Sequence, residues 1–164
     1  MNARPKIAFF GSSLVSAYWN GAATYYRGIV RALDARGFDI TFYEPDAYDR
    51  QKHRDIADPA WARVVVYPSD GTAGVERVLN DARSADIVVK TSGVGVFDEL
   101  LEAAVIAYRR PGALAVFWDV DAPATLDRMH KSAAASSSPG YTTTRAHGGS
   151  SMSRWRCRSK ASGS

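Results

Sequence analysis

The chain predicts a doubly wound α/β domain on a mostly parallel, five-stranded sheet. Three observations predict it. Short apolar runs rich in β-branched and aromatic residues alternate with helical patterns along positions 1–131. The runs are apolar on nearly every residue, as strands buried on both faces must be. The order of segments, β-α-β then β-α-β-α-β, brings each strand back parallel to the others with helices above and below, a Rossmann-like arrangement.

The predicted strands are Lys6–Phe10, Asp39–Tyr43, Val64–Tyr67, Asp86–Lys90 and Leu114–Trp118. Between the first two, Ala22, Tyr26, Ile29, Val30 and Leu33 recur at three- and four-residue steps, which predicts a helix over 22–36 stopped by Gly37. Val75, Val78, Leu79 and Ala82 mark a second helix, with Thr72 as its expected cap. Leu100, Leu101, Ala104, Val105 and Tyr108 mark a third, ended by Pro111-Gly112. A further helical segment, 122–130, follows the last strand.

Beyond residue 131 the character changes abruptly. Positions 132–164 are Ser-, Ala-, Gly- and Arg-rich, have no apolar period, and predict a disordered tail that cannot bury enough surface to offset its ordering entropy. The net charge of +4 belongs to this tail. Five of the 21 basic residues lie there with no acid, leaving 16 basic against 17 acidic residues in 1–131. Arg154, Trp155, Arg156 and Arg158 read either as a basic arm for RNA or another polyanion or, the preferred reading, as sequence without evolved function. A nucleic-acid partner is therefore not expected. A GC-rich frame read out of register gives this composition, so a frameshift near codon 131 is the working explanation of the tail.

Other classes are excluded by what is missing. No run approaches the roughly 20 apolar residues of a membrane helix. Ile7–Phe10 is shorter than a signal-peptide core of about 7–15 residues, and a cytoplasmic, bacterial-type protein is expected. The single cysteine, Cys157, permits neither an intramolecular disulfide nor a cysteine metal cluster. His53, His130 and His147 have no zinc-site spacing, and His53 sits in a charged, solvated loop. There is no Gly-x-Ser-x-Gly elbow. A phosphate-receiver domain would carry acids where this chain has Gly11-Ser12-Ser13 and Pro68-Ser69.

In an open parallel sheet, ligands bind at the carboxyl ends of the strands. Four loops leave that edge. In the first, residues 11–23, Gly11 and Gly21 permit close backbone approach to a phosphate, Ser12, Ser13 and Asn20 offer hydrogen bonds, and the following helix offers its N-terminus. The glycines lie ten apart, so the nicotinamide and P-loop fingerprints are absent; alternatively, Gly11 only serves the turn. Tyr18 and Trp19 make the loop richer than a connector requires. In the second, Glu44 stands at the end of a strand as an acid that contacts ribose does, but 33 residues after Gly11 rather than about 20; its alternative is a solvated carboxylate before Pro45. In the third, Ser92 and Gly93 form a Gly/Ser turn that meets an acceptor or phosphate, or a plain βα turn with Ser92 near the cap. In the fourth, Asp119 and Asp121 stand two apart, suited to sugar hydroxyls, to general-base work or to a divalent ion. Alternatively Asp121 caps the next helix and Asp119 is solvated.

Taken in order, KIAFFGSSLVSAYWNGAATYYRGIVRALDARGFDITFYEPDAYDRQKHRDI, VVVYP, DIVVKTSGVGVFDELLEAAV and FWDVDAPATLDRMH resemble the N-terminal half of CgeB-type (spore-maturation-protein-like) glycosyltransferases over residues 5–131. The resemblance implies a GT-B enzyme in which 1–131 is the acceptor-side domain and a second domain holds most of the nucleotide-sugar. It implies that Gly11, Ser12, Ser13, Asn20 and Gly21 face the donor diphosphate. It also implies that Asp119 and Asp121 face the cleft, where one of them orients or deprotonates the acceptor hydroxyl; Ser92, Gly93 and Glu44 are the candidates, read from their own loops, for the acceptor side of that cleft. No metal and no resident cofactor are implied; the nucleotide-sugar is a co-substrate. The pattern ends at Lys131, which implies a truncated protein, inactive alone, whose exposed interdomain face favours self-association.

Overall fold

The computed structural model describes residues 3–120 together with Pro123, Leu126, Asp127, His130 and Lys131. Asp121, most of the helix expected over 122–130 and the tail 132–164 lie outside the described residues. Among the described residues the strands and main helices run in the order β1 Lys6–Phe10, α1 Ala23–Asp34, β2 Asp39–Asp46, β3 Arg63–Pro68, α2 Thr72–Asp81, β4 Ile87–Thr91, α3 Asp98–Tyr108 and β5 Leu114–Trp118, with a 3-10 turn at Arg50–His53 between β2 and β3. The sheet order is β3-β2-β1-β4-β5 and every pairing is parallel. This is the expected doubly wound, Rossmann-like α/β fold.

The two-residue period of β1 builds both halves of the core. Ile7 and Phe9 face α1, where they meet Tyr26 and Val30 with Ile40, Phe42 and Val89. Ala8 and Phe10 face α2 and α3, where they meet Val75, Val78, Leu79, Leu101 and Val105. Aromatic pairs fix the spacing on each side. Phe9 stacks on Phe42 with ring centres 5.2 Å apart and takes the edge of Tyr26 at 5.9 Å. Phe10 stacks on Tyr43 at 4.8 Å. Each such pair contributes about 0.5–1.5 kcal/mol beyond the area it buries.

Lys90 interrupts the apolar run of β4 and is buried on the α3 side. Its ammonium lies 2.5 Å from Asp98 and 3.2 Å from Glu102, one turn apart on α3, and 5.5 Å from the Phe117 ring. A buried charge is tolerable only when paired in this way, so this strand lysine ties α3 to the sheet.

Several boundaries differ from the sequence expectation, and three of them have a clear physical reason. β2 runs on to Asp46, through Pro45. The carbonyl of Tyr43 faces β1 and accepts from Gly11. Position 45 faces the same way, past the last β1 partner, so the missing N–H of proline costs no ladder bond. Thr72 is the first residue of α2, not its cap; Gly71 precedes it in extended conformation and no side chain caps the helix. α1 ends two residues early, and the predicted stop is made by Gly37 at φ +87°, with the Phe38 N–H returning to the Leu33 carbonyl.

β5 is an edge strand, and Leu114 and Phe117 on it are exposed, as is Ile106 on α3. An apolar strand edge is a template for association. In size-exclusion runs over increasing concentration, the chain is expected to elute progressively earlier. A monomer unchanged at high concentration would contradict this.

Candidate functional site

Because all five strands are parallel, the loops after β1, β2, β4 and β5 leave from one rim. The strand order reverses between β1 and β4, and that is where a doubly wound sheet opens a crevice. Gly11, Ser92 and Asp119 therefore share one edge of the sheet.

The loop after β1 is folded inward. Gly11 sits where an added Cβ would lie 2.4 Å from the tip of the Phe42 ring. That ring is held between Phe9 and Tyr26 and cannot yield, so the glycine answers to packing within the domain. Past it, Ser13, Leu14, Val15 and Ser16 are fully buried. The Ser12 hydroxyl donates to Asn20 Oδ1 (2.9 Å), and Asn20 Nδ2 donates to the carbonyls of Ser13 (3.0 Å) and Ser16 (3.1 Å). Glu44 anchors the loop. Its carboxylate accepts from the Leu14 N–H (2.6 Å), the Ser13 hydroxyl (3.1 Å) and Gln51 Nε2 (2.6 Å), and none of the residue reaches solvent. The alternative of a solvated Glu44 is thereby corrected: the strand delivers it to the underside of the loop.

An outer clamp completes the arrangement. Arg27 of α1 donates from Nε to the Leu14 carbonyl (2.8 Å) and grips Asp55 with both terminal nitrogens (2.9 and 2.6 Å). Asp55 accepts from the Ala17 N–H, and its own N–H donates to the Val15 carbonyl. The hydrogen bond from Arg27 holds the Asp55 carboxyl down at about 2.

The other three loops reach the same rim with different degrees of exposure. The Thr91 hydroxyl donates to the Phe10 carbonyl, joining β4 to β1 at the crevice. Ser92, buried, donates its N–H to the Trp118 carbonyl (2.9 Å) and accepts at Oγ from the Val120 N–H (2.8 Å). It braces the turn that carries Asp119. Ser92 lies well before α3, which has no side-chain cap; the Asp98 carboxylate accepts from Val94 and Gly95 and closes the turn between them. Gly93 is exposed, with φ +65°. Gly21 is exposed beside the start of α1, which has no side-chain cap. Asp119 is half-buried. Trp118 Nε1 donates to the Tyr25 hydroxyl (3.1 Å), linking β5 to the first turn of α1.

One feature of the rim escapes a reading of the sequence. Tyr18, Trp19, Tyr48, Asp49, Arg50 and Gly95 line an open cleft of about 580 Å³, formed by the loops after β1, β2 and β4. The Tyr48 hydroxyl donates to the Gly95 carbonyl (2.8 Å), and Tyr18 stacks on His53 with centres 4.0 Å apart. His53 is exposed, as expected. Arg50, in contrast, is buried. In the run Tyr48–Asp55 five of the eight residues are charged, and nothing local marks one arginine as interior. The signal within reach was the pairing of Tyr48 with the aromatic excess at Tyr18-Trp19.

No family model and no curated protein matches the chain. Among solved structures, the chain is similar to BdcA (YjgI) from E. coli, with 17% identity over 79% of this chain and 71% of that one and a TM-score of 0.46. It is also similar to the MycE methyltransferase of mycinamycin biosynthesis, with 18% identity over 90% of this chain and 36% of that one and a TM-score of 0.41. Neither likeness bears on activity. No helix among the described residues is long and apolar enough to cross a membrane.

The Arg27–Asp55 clamp has a pH signature. A carboxyl held below its unfolded value of about 3.9 contributes stability above that value and loses it as pH falls toward the folded one. Between about pH 4 and 2 the chain should lose stability through this pair. Asp55 is partly exposed, so the loss is screened and modest. Urea midpoints across this range should fall less steeply for Asp55→Asn than for the parent. Identical slopes would show that the clamp contributes nothing.

Proposed function

We propose that this domain is the acceptor-side half of a CgeB-type glycosyltransferase, moving a sugar from a nucleotide-sugar donor to an acceptor hydroxyl. The observation that carries it is the single rim, at the β1/β4 switch point, on which the turns bearing Gly11, Ser92 and Asp119 meet. Ser92 fixes the turn after β5, and Asp119 on that turn is the group suited to orient the acceptor hydroxyl or take its proton; Asp121 is the second carboxylate of the same proposal.

The donor diphosphate would lie toward Gly21 and the uncapped start of α1, where free N–H groups and the helix dipole favour an anion and a departing diphosphate. Ser12, Ser13 and Asn20 serve this site by shaping the loop, because their side chains are committed to one another and to Glu44. Glu44 itself acts from beneath, and Gly93 leaves the acceptor side open. No resident cofactor or metal enters this scheme.

A second reading, a Rossmann-like nucleotide-binding module without catalysis, is favoured by the inward commitment of the same side chains. Titration of the isotope-labelled chain with UDP-sugars, GDP-sugars, the free nucleotides and NAD separates the two. Sugar transfer predicts weak binding of a nucleotide-sugar, tighter than its parent nucleotide, with signals moving at Gly21, Ser92, Gly93 and Asp119. Nucleotide and nucleotide-sugar binding equally well would favour the module. Tight NAD binding would overturn the proposal.

A further inference from the structure

The cleft between Tyr18, Trp19 and Tyr48 has a cationic floor without an anionic partner. Arg50 is 6% exposed, yet among the described residues no carboxylate pairs with it. One terminal nitrogen donates to the Ser12 carbonyl at 3.2 Å, and the other reaches the Trp19 carbonyl at 3.5 Å, the outer limit of a hydrogen bond. Its Nε is buried with no acceptor at all. The guanidinium lies over the Tyr48 ring, 4.9 Å from its centre. Glu44 acts on it only through space, since the Glu44 oxygens are occupied by Leu14, Ser13 and Gln51. A buried charge left this way is costly, and an anion in the cleft offsets part of that cost through charge-assisted bonds to the terminal nitrogens.

The cleft is also held under strain. Trp19, Tyr48 and Asp49 all line it, and all three have φ between +47° and +57°, the left-handed region. Each such residue carries backbone strain. Phe97 is the only other non-glycine residue with positive φ among those described. Strain concentrated on one concave surface marks a shape that is maintained for a ligand.

We propose that this cleft binds a phosphorylated sugar, free or as part of a nucleotide, with the phosphate on Arg50 and the ring against Trp19. Trp19 is 82% exposed and so offers a free indole face, whereas Tyr18 is covered by His53 and Tyr48 by Arg50. Asp49 at the mouth, beside Lys52, is placed to accept from ring hydroxyls. A volume of about 580 Å³ is of the size that takes one such molecule. Its ligand contacts, Arg50, Trp19 and Asp49, are distinct from the residues assigned to sugar transfer.

The test is calorimetric titration of the full chain with glucose 6-phosphate, UMP, inorganic phosphate and glucose. Saturable binding of glucose 6-phosphate or UMP, tighter than that of phosphate and of glucose, is expected; which of the two binds better tells a sugar-phosphate site from a nucleotide site. Arg50→Gln should weaken that binding about tenfold or more, as loss of a charged hydrogen-bonding partner does. Should Arg50→Gln not fold, Trp19→Ala decides. Its solvated side chain can be removed without disturbing the core, and it should weaken the phosphorylated sugar several-fold while leaving inorganic phosphate unchanged. The proposal falls if neither compound binds, if glucose binds as well as its phosphate, or if Trp19→Ala changes nothing.

Discussion

A carboxylate placed beneath the sheet's functional rim, cut off from water, needs hydrogen-bond donors on both oxygens, and Glu44 gains three by drawing the loop after β1 down over itself and taking the Gln51 amide. An ionised group buried without partners costs several kcal/mol. The Leu14 N–H, the Ser13 hydroxyl and the Gln51 amide supply those partners, and supplying them fixes the path of the chain between β1 and α1. Leu14 and Val15 are then forced inward, Ser12 and Asn20 pair behind them, and the Arg27–Asp55 clamp closes the outside.

This constraint determines what kind of rim the domain has. In a glycine-rich phosphate turn the backbone itself lies open to the ligand. Here the corresponding loop is a packed wall, and openness is displaced to either side of it. On one side lie Gly21, the start of α1 and the Ser92-braced turn with Asp119. On the other lies the aromatic cleft over Arg50. The same loop supplies both: its serines and asparagine face in, while Tyr18 and Trp19 are carried out to the cleft.

The sheet was legible in the sequence because its determinants are local. Apolar runs and helical periods report burial directly, and even the stop at Gly37 follows from one residue's freedom at positive φ. What escaped depended on neighbours distant in the chain. Pro45 reads as a strand end until one knows that β1 has already finished beside it. Lys90 reads as the polar end of a strand until Asp98 and Glu102 are brought over it. At the rim, Ser12, Ser13, Asn20 and Glu44 were recognisable as polar groups at a ligand-binding edge, but composition cannot tell whether such groups face a ligand or each other. Arg50 shows the converse, since a charged run gives no sign that one member is enclosed.

Amide hydrogen exchange at Leu14 tests this account most directly, because in the folded state that N–H donates to the Glu44 carboxylate. If the loop is a fixed wall, Leu14 exchanges as slowly as Phe9 and Phe10 of β1, and Glu44→Gln accelerates Leu14 and Ser16 while β5 is unaffected. Exchange of Leu14 in the parent chain at the rate of exposed Trp19 would mean that the loop opens freely, and the rim described above would not exist as a stable surface.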